Sequence, residues 1–174
     1  MKLSCSDEIV AGKTSASKER LFACALANTP ACVRLIRIRE DLTGCAYPNP
    51  KSSQHGTLEA PRPVTRRALQ VFLHEAAHYA LDHRSNRPRY LEEYEAEVWS
   101  FARMREAGIP VPRKSLETAR RDVLGAIQTT LARGMKRIDP KAARFARFNR
   151  RPPPHFISTG PNTFIWSEKA LGGG

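Results

Sequence analysis

Residues 71–83 read Val71-Phe72-Leu73-His74-Glu75-Ala76-Ala77-His78-Tyr79-Ala80-Leu81-Asp82-His83. They belong to a longer segment with a helical signature. Thr65 is a suitable N-cap, and Ala68, Leu69, Val71, Phe72, Ala76, Ala80 and Leu81 recur at helical spacing. The pattern predicts a helix over 65–83. Histidines four apart on a helix stand one turn above each other on one face, so both imidazoles can reach one metal ion. Neutral imidazole suits Zn²⁺. Glu75 follows the first histidine and is placed to serve a neighbouring water as general base, then as proton donor. The apolar surroundings predict a buried helix, and burying His-Glu-His without a cation is costly.

A catalytic zinc takes a third protein ligand. The sixth residue after His78 is Arg84, which removes the pattern with a third histidine there. The next segment carries Glu92, Glu93, Glu95 and Glu97. Four acids in six residues repel one another on a helix, and a nearby cation relieves that repulsion. The competing reading is a solvated face paired with Arg87, Arg89, Arg103 and Arg105. A helix over 89–107, joined by a short link, brings Glu92 and Glu93 against the middle of the preceding helix. Glu97, one turn on, is suited to orient a histidine ligand. An oxyanion donor could come from Tyr47, His83, Tyr90 or His155.

Outward from this pair, Ser17 caps a helix over 17–28 and residues 32–39 alternate as a strand. Residues 43–56 are loop-like, and a second short strand falls near Gly56 to Ala60. Gly108, Pro110 and Pro112 end the 89–107 helix. Leu116, Ala119, Val123, Ile127 and Leu131 give a clean stripe for a helix over 115–133. A short basic helix follows at 140–148. The tail 151–174 is rich in Pro and Gly and reads as extended, with one short strand at Thr163 to Trp166. The fold class is therefore α+β and mostly helical. A small N-terminal sheet packs on a zincin-type active-site helix pair within one domain, 1–150.

The chain has 174 residues and a net charge of +12. Such a surface attracts anions. The excess is uneven: residues 113–151 carry 12 basic and three acidic side chains. That third could dock on nucleic acid or an acidic partner, or be a solvated surface. No apolar run is long enough to span a bilayer. Met1 to Lys13 contains Asp7 and Glu8 and does not read as a signal peptide, so a cytoplasmic address is expected. Cys5, Cys24, Cys32 and Cys45 form no CxxC pair and read as ordinary thiols, several of them in the core.

His74-Glu75-x-x-His78-x-x-Leu81-x-His83, followed by Glu93-x-x-Ala96-Glu97 and an aromatic at Trp99, resembles the ImmA/IrrE-type metallopeptidases. The resemblance covers roughly residues 60–105. It implies a gluzincin-like zinc site with His74, His78 and Glu93 as ligands and Glu75 as catalytic base. It also implies a cytoplasmic peptidase, often carried on mobile elements. Several such peptidases cleave helix-turn-helix repressors. The chain departs from the family at Ala77 (usually Gly), Glu97 (usually Asn or Asp) and Trp99-Ser100 (usually Phe-Ala). Two other readings compete. One is a deformylase-like zinc hydrolase with Cys45 as third ligand. The other is a basic binding module that keeps a structural metal.

Overall fold

The computed structural model describes residues 17–83 and 87–148, together with the backbone of 156–160 and 163–166. The other expectations for the N-terminus and the tail, including those for Cys5 and His155, fall outside the described residues.

The chain is mixed α+β. Ser17 caps α1 (Lys18–Ala27) by accepting the Arg20 amide. The strand expected over 32–39 begins later, as β1 (Leu35–Arg39). Within the expected 43–56 loop, Cys45–Ala46 form a two-residue strand, β2. This strand was not legible because its pairing partner, β3 (Thr57–Pro61), is distant in sequence. The order is β1-β3-β2, with β1 parallel and β2 antiparallel to the central β3. Arg37 and Arg39 of β1 pair with Glu59 of β3, while Leu35 and Ile38 are exposed.

Thr65 caps α2 (Arg66–Ala80), accepting the Ala68 amide at 3.1 Å. Its apolar face carries Leu69, Phe72, Leu73 and Ala76 into a core shared with Leu21, Cys24, Leu58, Met104 and Ile109. Each such large side chain contributes about 1.5–3 kcal/mol by leaving water. Tyr79 locks the helix to the sheet, its hydroxyl donating to Thr57 O at 2.7 Å and accepting the Tyr47 amide at 3.2 Å.

The third helix, α3 (Arg89–Glu106), packs on α2 and on α4 (Arg113–Ala132). Gly108, at φ 62°, ends α3 in a Schellman turn: its amide bonds to Arg105 O and the Ile109 amide to Met104 O, both at 2.8 Å. The helix expected from 115 starts two residues earlier, because Pro112 fits the extended N-cap. Its stripe is buried at Ala119, Val123 and Ile127. Val123 and Ile127 meet Tyr90 and the short α5 (Pro140–Phe145) in a second core. Thus α3 belongs to one core at its start and to the other at its end. This fixes the acidic segment between them.

In the tail, β4 (Phe156–Gly160) pairs antiparallel with β5 (Thr163–Trp166). Only β5 was expected. Of the described cysteines, Cys24 alone is buried; Cys32 is exposed and Cys45 half-buried, and all three are free thiols. The expectation of several core cysteines holds for one. Among the described residues, no helix is long and apolar enough to cross a membrane.

Candidate metal centre

Helix α2 sets His74 and His78 one turn apart, with their Nε2 atoms 3.3 Å from each other. From α3, Glu93 brings Oε2 to 3.3 Å from His74 Nε2. One ligand atom from each of His74, His78 and Glu93 lies within 4.8 Å of the others. Ligands ~2.0–2.1 Å from a tetrahedral zinc stand about 3.3 Å apart. The two measured separations match that spacing, so this nitrogen, nitrogen and oxygen set could hold a metal ion. It is the single such group among the described residues.

The four acids of α3 have different surroundings. Glu93 also pairs with Arg89 at 3.2 Å. Glu97 is buried, accepts a hydrogen bond from Gln70 at 2.7 Å and lies 3.2 Å from His74 Nδ1. That last contact is a close charge pair without hydrogen-bond alignment. Glu95 takes a two-pronged bond from Arg87, 2.8 Å on each arm. Glu92 lines the cavity, with Oε1 buried and no hydrogen-bond partner. The metal-contact and ion-pair readings therefore divide among the acids. Glu93 joins the ligand group, Glu97 backs a ligand and Glu95 is paired with arginine.

The cavity at the site has a volume of about 310 Å³ and is lined by His74, Glu75, His78 and Glu93 from the helices, with Gly44 to Ala46 on the opposite wall. Gly44 presses on Glu75: a Cβ added there would fall 2.6 Å from Oε1 and 2.8 Å from Cδ. A side chain at position 44 would force this carboxylate to move. Cys45 is part of the same wall but not of the ligand group.

Burial, with Glu93 and Glu97 close by, pushes the Glu75 carboxyl up to about 7, against the pull of His74. Burial also drives His78 down to about 3, with His74 adding to the effect. At His74 burial acts downward, but the close carboxylates of Glu93 and Glu97 outweigh it and hold the imidazole well above its ordinary value. Glu93 answers: burial acts upward, yet His74 carries it down to about 2. The acids that would meet a cation thus favour the protonated form of His74.

Of the oxyanion candidates, Tyr90 is buried in the second core, where its hydroxyl accepts the Asp139 amide at 3.0 Å. Tyr47 is not part of the cavity lining, whereas His83 is. Sequence reasoning did not single out Gly44, Gln70 or Asp122. Asp122 is exposed, yet partial desolvation, with Glu97 and Glu93 nearby, raises its carboxyl, although His74 pulls the other way. No sequence signal marks these three, since each depends on a contact between distant segments.

The basic third is mostly solvent-facing: Arg113, Lys114, Arg121, Arg133, Arg137, Arg144 and Arg147 are exposed. No protein-family profile, curated protein or solved structure matches the chain.

Proposed function

We propose that this protein is a zinc-dependent metalloendopeptidase of the ImmA/IrrE type, acting on a specific cytoplasmic protein such as a helix-turn-helix repressor. The observation that carries the proposal is the convergence of His74, His78 and Glu93 around one point, with Glu75 beside them in an open cavity. A zinc ion bound by those three side chains would supply Lewis acidity for amide hydrolysis.

The chain's own residues provide the remaining functions. Glu75, with its carboxyl near 7, is suited to accept a proton from the attacking water and return it to the leaving amine. Glu97 steadies His74 from behind, and Gln70 steadies Glu97. The short strand β2 lies at the edge of its sheet and forms the cavity wall, so an extended peptide could pair along it. The packing of α2 on α3 is that of a zincin-type helix pair in this reading.

The test is zinc stoichiometry by elemental analysis, followed by co-expression with candidate repressors. One zinc per chain is expected, with cleavage lost in Glu75→Gln while the metal stays. Cleavage that persists in Glu75→Gln removes Glu75 as the base. The exposed arginines support an added reading, docking on nucleic acid. Its mark is binding that weakens steeply with salt.

A further inference from the structure

The end of α2 delivers a third histidine to the site. Asp82 adopts φ 51°, the left-handed conformation, and closes a Schellman turn. In it the Asp82 amide bonds to Tyr79 O at 3.2 Å and the His83 amide to His78 O at 3.0 Å. This turn returns the residue two past the cap to the side chain of the last helical turn, a contact usually made by apolar groups. Here the two residues are His83 and His78, with rings 5.0 Å apart and edge-on. Their Nδ1 atoms are 2.9 Å apart. His83, only 2% exposed, then reaches Glu95 with Nε2 at 3.1 Å, and Glu95 is clamped by Arg87.

Hydrogen-bond chemistry gives this chain a direction. A carboxylate clamped by two guanidinium bonds only accepts. Neutral His83 therefore carries its proton on Nε2 and presents a bare Nδ1. His78 must then carry its own proton on Nδ1 to satisfy that acceptor, and its Nε2 is left as a lone pair. That Nε2 is the atom facing His74 Nε2 in the ligand group. We propose that Glu95, acting through His83, is a positioning device that fixes His78 in the one neutral tautomer able to bind a metal through Nε2. The free protein then holds this ligand ready before any ion arrives. This rests on the metal-centre reading above and extends it to residues that touch neither ion nor substrate.

The experiment uses full-length protein labelled with ¹⁵N-histidine. Long-range ¹H–¹⁵N spectra of the metal-free wild type at neutral pH should show His78 protonated on Nδ1 and His83 on Nε2. This needs no variant and no bound metal. Zinc affinity is then measured by chelator competition. Glu95→Gln, whose amide can donate as well as accept, should mix the His78 tautomers and weaken zinc by ~10–100-fold. His83→Asn keeps an oxygen acceptor near His78 Nδ1 and should retain affinity within about threefold, whereas His83→Leu should lose as much as Glu95→Gln. His78 protonated on Nε2 in the metal-free wild type overturns the inference, as does unchanged zinc affinity in both Glu95→Gln and His83→Leu. A wild type that binds no zinc while showing the expected tautomers rejects the metal-centre reading and leaves the tautomer relay standing.

Discussion

Glu93 Oε2 lies 3.3 Å from His74 Nε2, the same separation that divides the two imidazole nitrogens on α2. The carboxylate of one helix thus stands where a third ligand would sit, although three other acids of α3, Glu92, Glu95 and Glu97, lie within about one turn of it. Glu93→Ala should reduce zinc affinity by more than the ~10–100-fold that partners behind the ligands carry. Glu97→Gln should fall within that range, because Glu97 backs His74 rather than entering the ligand group. Chelator competition on both variants checks the order. A larger loss in Glu97→Gln would exchange their roles.

Metal binding should release a proton. Metal-free His74 is held protonated by Glu93 and Glu97, whereas His78, near 3, is already neutral above pH 5. Zinc must displace the His74 proton, so affinity should rise with pH, by up to about tenfold per unit, until the metal-free His74 deprotonates. Calorimetry in buffers of different ionisation enthalpy should count at least one proton released at pH 6, from His74, and up to one more from Glu75, whose carboxyl near 7 is also protonated there. No released proton would mean that His74 is neutral in the free protein.

Glu75 costs the metal-free fold stability. Its carboxyl is raised to about 7 from an ordinary 4.5 by burial and by neighbouring acids. A raised acid is unpaid-for charge in the folded state. The cost is absent below the unfolded value, grows as pH rises and is complete above 7. Glu75→Gln should therefore stabilise the metal-free protein by roughly 2–3 kcal/mol at pH 8 and by almost nothing at pH 4. Urea melts at the two pH values measure the difference, and an equal gain at both would contradict the burial account.

Gly44 and Glu75 form a tight contact across the cavity. Gly44→Ala should destabilise by about 1–3 kcal/mol, because its methyl would overlap the carboxylate. Glu75→Ala removes the obstruction, so the double variant should recover most of that loss. A double-mutant cycle with no coupling would show that backbone effects, not the contact, set the cost.

Much of the frame was legible in the chain itself. Ser17 and Thr65 are found as caps with hydroxyls accepting the expected amides, and Gly108 has the positive φ predicted for it. These are local effects, decided within a few residues. β2 was missed because a two-residue strand exists only through its bonds to β3. Asp82 in a left-handed turn was missed because glycine is the usual marker there.

The sequence by itself determined that His74, Glu75 and His78 share one helix face, since helical periodicity alone brings residues four apart together. It also concentrated four acids at the start of the next helix. Only the tertiary structure decided that Glu93 meets the histidines, that Glu97 stands behind His74 and that Glu95 answers to Arg87 and His83. That choice depends on how α3 is rotated and seated between its two cores, a balance of contacts among segments far apart in the chain. Charge repulsion along six residues shows that partners are needed, but the packing of the helices assigns each partner.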